Sequence, residues 1–395
     1  MRILVFFLLF CSATPVVAQV IDGDVTWRGD KTISDKVRVD QGGHLIIEPD
    51  SRISFAAGGT LEVAGRMTAR GVTFSGQGWN GIVLKGTGVD TLITESAIRD
   101  ARIGVQVIGG EPRLEGLILE QNDVGVELRQ QTEATLAGAT FRNNRKVGLF
   151  VKDGSAAAIL NNRFERNGKY GAYIFRSTPR RFSGNVFSHE QTALMVAYSG
   201  SNPEITDNCF DHNRIAIRVE KGAKPKISGS DVSDNEVGIS LYRRADPLIE
   251  RNLLFRNDIG VKVAFSSYPV ISNNDFIENG KAVFLEFQSS QWERENGNKA
   301  RQAESTRSAF GSIEKSATGL PAPPKLDGTV DARQNWWGAK AAGELGENGQ
   351  GKNLSFIDDG RDRPTFIEEG REYPLDQVDV HPWRRQPVFG APEKK

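Results

Sequence analysis

Hydrophobic residues in the middle of the chain come in short runs that alternate with polar ones, as in Ile205-Thr206, Cys209-Phe210 and Ile215 to Val219. This period-two pattern over three to five positions predicts short strands with one buried face. The pattern itself recurs. NPEITDNCFDHNRIAIRVE, KPKISGSDVSDNEVGISLY, DPLIERNLLFRNDIGVKVA and YPVISNNDFIENGKAVFLE align without a gap from Asn202, Lys224, Asp246 and Tyr268, each 22 residues after the last. EPRLEGLILEQNDVGVELR from Glu111 has the same form. A small residue ahead of the last strand keeps the phase at Gly81, Gly104, Gly125, Gly148, Gly171, Ala193, Ala216, Gly238, Gly260 and Ala282, in steps of 21 to 23. Three short strands and three turns fill such a repeat and leave no room for a crossover helix. The predicted fold is all-β: a parallel β-helix solenoid of about 11–12 coils, roughly 22 residues per coil.

Stacked coils put equivalent residues about 4.8 Å apart. Leu119, Phe141, Phe164, Phe187, Phe210, Val232, Leu254 and Phe276 then form an internal column. Asn122, Asn144, Asn167, Asn213, Asn235, Asn257 and Asn279 form a second, and Asn185, Asn208, Asn252 and Asn274 a third. The Asn columns are expected at left-handed corners, with their amides bonded from coil to coil. The Gly/Ala row is expected at a corner too tight for a larger side chain.

Composition changes the picture little. Lys+Arg and Asp+Glu both number 50, so no charge excess points to nucleic acid or an anionic membrane. Residues 1–18 read as a secretory signal peptide: a basic start, an apolar run from Ile3 to Phe10, and Ala18 before the cut. An exported chain, periplasmic, cell-surface or extracellular, with no membrane span is expected. Cys209, alone in the mature chain, is expected to be a small packed residue. Residues 19–66 are assigned to an N-terminal β cap and first coil, and 67–287 to the helix coils. Residues 288–325 read as a polar, Pro-containing exposed insertion, and 326–395 as a last coil with a C-terminal cap and tail, in which Asn335 rejoins an Asn column.

GGHLIIEPDSRISF, the WNGIVL at 79–84, the Asn-rich coils, DARQNWWG and VDVHPW together resemble the secreted right-handed parallel β-helix proteins of the pectin-lyase-like superfamily. The resemblance spans roughly residues 20–385 and implies a right-handed helix. It also implies proteins that cleave, epimerise or bind polysaccharides, or that adhere. A lyase of this kind needs an acidic Ca²⁺ cluster with an Arg or Lys base beside it, or a Lys/Arg pair; apart from Ca²⁺ in that case, no cofactor is expected.

The outward column of the last strand reads Gln106, Glu127, Phe150, Tyr173, Met195, Arg218, Ser240, Lys262 and Phe284. It holds a single acid, Glu127, and gathers no acidic cluster, which argues against a lyase. It does bring Phe150, Tyr173 and Met195 together outside, with Phe175 and Tyr198 beside them and Lys152, Arg176, Arg180 and Arg181 close in sequence. Exposed aromatics flanked by cations suit an acidic glycan. The leading expectation is therefore a non-catalytic protein that binds a polysaccharide or a cell-envelope partner through this face. Two alternatives stay open. His189 and His212 stack one coil apart beside Asp211 and Asp234, with Glu190 and Ser233 as neighbours. With Arg218 they are the catalytic candidates for a lyase, epimerase or hydrolase. His189, His212 and Asp234 are the candidates for an envelope metal site.

Overall fold

The computed structural model describes residues 19–297, 299, 325–346 and 352–389. The expected signal peptide and most of the 288–325 segment lie outside the described residues. Three parallel sheets of 14, 14 and 12 strands run the length of the molecule. Sheets A, B and C, in that order, each take every third strand, as a coiled chain requires. One coil shows the rule: Glu204–Thr206 lies in sheet B, Cys209–Asp211 in sheet C and Ile215–Glu220 in sheet A. Along most strands the inward side chains are buried and the outward ones are at least partly exposed, so the alternation in the sequence is the wall of the solenoid.

The inward columns stack as the periodicity predicts. Phe141, Phe164, Phe187 and Phe210 lie face to face with ring centroids 4.7, 4.4 and 5.0 Å apart. Both Asn columns are buried hydrogen-bond ladders. Asn213 shows the unit: its Nδ2 donates to the Phe187 carbonyl at 3.1 Å and to Asn235 Oδ1 at 3.0 Å. Its own Oδ1 accepts the backbone N–H of Glu190 from the coil before. Each amide thus satisfies corner groups that no strand partner reaches. Asn335 does rejoin the other ladder, accepting from Asn274 Nδ2 at 3.0 Å.

Two details differ from expectation. The left-handed corner residue is the one before each rung of the ladder, an Asn or, after His189, Glu190: Asn143, Arg166, His189, His212, Asp234, Arg256 and Glu278 all have φ between 50° and 58°. The Asn bonds inward while its predecessor turns the chain and points out. The Gly/Ala row sits inside the sheet A strands, not ahead of them; Gly125 is the second residue of Val124–Arg129. A Cβ there would lie 2.5 Å from the Gly148 carbonyl oxygen and 2.8 Å from the Phe141 ring, so the row is kept small by close approach.

The C-terminal end is closed by packed pieces. Trp337 stacks on Phe276 at 4.7 Å and leads into the helix Gly338–Leu345. The start of the 288–325 segment is part of this end: Gln288, Ser289 and Ser290 are buried, and buried Asp376 accepts from Ser290 N, Ser290 Oγ and Tyr268 OH. Thr365–Glu368 and Arg371–Pro374 form an antiparallel hairpin beside it. No helix among the described residues is long and apolar enough to cross a membrane.

Candidate functional site

The outer face of sheet A carries the candidate site. Residue-by-residue pairing places Gln106, Glu127, Phe150, Tyr173, Met195, Arg218, Ser240, Lys262 and Phe284 in one column across neighbouring strands. Phe150 and Tyr173 stack at 5.1 Å, Phe175 meets Tyr173 edge-on at 5.9 Å, and Tyr198 meets Phe175 at 4.9 Å. Tyr170 joins them 5.1 Å from Tyr173. Phe150, Tyr173, Phe175 and Tyr198 are each half-buried, so each ring keeps part of its surface in solvent.

Met195 departs from this. It lies in the outward column but is only 3 % exposed. Its strand neighbours in the column are Tyr173 and Arg218, two long side chains on either side of it. Met195 is a floor beneath the aromatic patch, not a contact point. Arg180 and Arg181 are not on this face either. Arg180 Nη1 donates to the Glu133 carbonyl at 2.7 Å, and Arg181 belongs to the sheet B strand Arg181–Ser183. Arg176 is on the face, with its guanidinium over both Phe175 at 5.3 Å and Tyr198 at 5.2 Å.

The aromatic face is longer than the sequence disclosed. Lys221 sits over the Tyr198 ring at 4.8 Å and donates to its hydroxyl at 3.2 Å. Arg218 and Arg243 flank Tyr242. Tyr242 meets Phe265, Phe265 meets Phe287, and Lys262 and Arg363 flank Phe284. Rings and cations therefore run from the strand Val147–Lys152 to Lys281–Glu286, seven strands of sheet A. At about 4.8 Å per strand that is roughly 29 Å.

The charges on this face are sorted. Each outward carboxylate of sheet A is held by cations: Glu62 by Lys36 and Lys85, Glu127 by Lys152, Glu220 by Arg218 and Lys221, Glu286 by Lys262, Asp358 by Arg363. Arg176 and Arg243 touch rings and have no carboxylate partner among the described residues. The charge left over is positive. Burial pushes the Tyr173 phenol well above its ordinary range, so it stays protonated and offers a hydroxyl, not a base.

The histidines lie on another edge, at the corner between sheets C and A. Their rings stack at 5.8 Å, as the register predicts. Asp211, His212 and Asp234 bring three ligand atoms within 4.8 Å of one another, and His212 Nδ1 is 2.8 Å from Asp211. This set could offer three donors to a divalent cation. Asp234 is already clamped by Arg256, whose Nε and Nη2 donate at 2.7 and 2.6 Å. That pairing holds the Asp234 carboxyl below its usual range. Arg218, expected to join these residues, sits on the sheet A face with Glu220. Glu190 does not join them either: it is 2 % exposed and points inward.

Comparison with known proteins places the chain by fold. The family model described as "Right handed beta helix region" matches residues 61–210 and 168–298. No curated protein matches. Among solved structures, a double mutant of the periplasmic alginate epimerase AlgG superposes with a TM-score of 0.51 at 13% identity, covering 68% of this chain and 82% of that one. The Azotobacter vinelandii mannuronan C-5 epimerase AlgE4 A-module gives 0.37 at 12% identity, covering 66% and 88%. The Streptococcus pneumoniae surface adhesin PfbA gives 0.31 at 13%, covering 68% and 81%. These likenesses concern the fold, and the family match spans more than half of the chain. With its three parallel sheets and repeat near 22 residues, the chain belongs to the right handed beta helix family.

Proposed function

We propose that this is an exported, non-catalytic β-helix that binds an extended acidic polysaccharide along the outer face of sheet A. One observation carries the reading: two clusters of partly exposed rings, joined across Arg218 and Lys221 and flanked by further Arg and Lys, on a face whose own carboxylates are already paired. Flat rings accept the apolar faces of sugar rings. Arg176 and Arg243 remain for glycan carboxylates or sulfates. A rigid parallel sheet presents these groups at a fixed spacing, so little order is lost on binding. The leader-like residues 1–18 support export.

Calorimetric titration with polyuronate oligomers of graded length tests it. Affinity is expected to rise with length until the file is filled and to fall as salt rises. Tyr173→Ser with Phe175→Ser removes two rings at about 1 kcal/mol each or more, so affinity drops about tenfold or more while the fold stays intact. Equal affinity in the wild type and this variant for every acidic glycan bound would remove the face from the reading. The same incubations are assayed for new reducing ends and unsaturated products; turnover would favour the lyase, epimerase or hydrolase alternative.

A further inference from the structure

A second site lies at the C-terminal end of the stack, away from the sheet A file. A cavity of about 420 Å³ opens between the last sheet C strand, Asp275–Ile277, and the helix Gly338–Leu345. Its size is that of a small-ligand pocket. Phe276, Trp336, Trp337 and Phe356 line it, with Trp337 stacked on Phe276 and tilted 5.4 Å from Phe356.

Two sets of donors are left open here. The Trp337 side chain is 5 % exposed, and its indole Nε1–H is buried without an acceptor among the described residues. An unmet buried donor is costly, and Trp337 lines the cavity, so an acceptor bound there could meet it. The second is the free end of the Asn ladder. In every earlier rung the backbone N–H is taken by a side-chain oxygen one coil on, as Asn235 N is by Asn257 and Asn257 N by Asn279. Asn279 is the last rung and lines the cavity. It accepts from Asn257 and gives its Nδ2 to the Leu254 carbonyl, but its own N–H has no acceptor among the described residues. Glu278, Ser355 and Lys340 add acceptors and donors at the lining.

Aromatic walls with open donors and nearby acceptors match one ligand chemistry: a ring with an apolar face and hydroxyls on its rim. We propose that this cavity binds a neutral pyranose, the end unit of a glycan, seated against the Trp336–Trp337 pair with its oxygens accepting from Trp337 Nε1 and Asn279 N. A uronate suits it less, because Glu278 and Glu344 would face its carboxylate. The site stands apart from the acidic-glycan reading of sheet A, and either can fail alone.

The test uses the full chain and methyl β-glucoside, methyl β-galactoside and methyl α-mannoside, followed by saturation-transfer NMR and calorimetry. At least one glycoside is expected to bind saturably. Trp337→Phe keeps the stack on Phe276 but removes the N–H, and should weaken binding about tenfold. Ala339→Trp, at an exposed position on the helix lining the cavity, should fill the space and abolish it. Tyr173→Ser with Phe175→Ser should leave it unchanged. No saturable binding of any of the three glycosides overturns the proposal. So does binding that survives both cavity variants, or that is lost only in the sheet A variant.

Discussion

Phe187→Ala is expected to destabilise the protein by about 3–5 kcal/mol in denaturant unfolding. Phe187 is fully buried between two parallel rings, Phe164 at 4.4 Å and Phe210 at 5.0 Å, with Phe182 at 6.2 Å. Truncation removes both stacking contacts and the transfer energy of a whole ring. The hole cannot close, because coil spacing is fixed by backbone hydrogen bonds along three sheets and by the Asn ladder bonded to the Phe187 carbonyl. The cost therefore belongs at the upper end, where the surroundings do not relax. Phe187→Leu is the internal control, since the column already uses Leu at 119 and 254. It should cost less than half as much. A loss below about 1 kcal/mol for Phe187→Ala would mean that the column packs loosely and that the stacked rings do not hold the coils.

The column that Phe187 belongs to was readable because it depends on phase alone. A residue 22 or 23 positions on must stack on its predecessor once strands run parallel, so the inward rings, both Asn ladders and the outward row from Gln106 to Phe284 follow from spacing. What depends on the reach of neighbouring side chains was not readable. Met195 is outward in register but buried, flanked by the long side chains of Tyr173 and Arg218. Phe265 and Phe287 lie at left-handed positions just past the sheet A strands, outside any alternating run, so the part of the file they form stays hidden in a strand-by-strand reading, although Tyr198, at the same kind of position, was legible beside Met195. The cavity at the end of the stack has no periodic signal at all. DARQNWWG resumes the repeat at Asn335, but only the folded chain shows that Trp337 and Asn279 line the same space. The corner was misread by one position for a related reason: Asn is common at left-handed turns, yet here its amide is needed inside, and the turn falls to whatever residue precedes it.

That one-position shift also explains Glu190, and with it the largest expected pH effect. His189 turns the corner and points out; Glu190 then takes the place of a ladder Asn. Its carboxyl accepts from Asn167 Nδ2 at 2.7 Å and from Asn167 N at 3.0 Å, as an Asn Oδ1 would. It has no amide hydrogens to give in return. Burial pushes its pKa up to about 7, against the pull of the two bonds from Asn167. A protonated carboxyl supplies one O–H in place of the missing Nδ2, which in the adjacent rungs goes to the Phe141 and Phe187 carbonyls. The sign follows from linkage. The folded chain keeps a proton that the unfolded chain releases in the ordinary carboxyl range. The stabilisation is complete below that range and is lost as pH rises towards 7. The total loss is about 3 kcal/mol, and the curve is flat above pH 7 as far as this group is concerned. Glu190→Gln is expected to remove this slope and to raise stability above pH 7 by up to that amount, because an amide donates without carrying charge. Arg166, His189 and His212 stand at the outer corners nearby, and the two imidazoles are the control for any other contribution to the slope. Unfolding curves from pH 4 to 8 for Glu190→Gln, beside those for His189→Gln with His212→Gln, separate the two sources. A slope that persists in Glu190→Gln and vanishes in the double histidine variant would assign the pH dependence to the surface turn and leave the ladder indifferent to its one carboxyl rung.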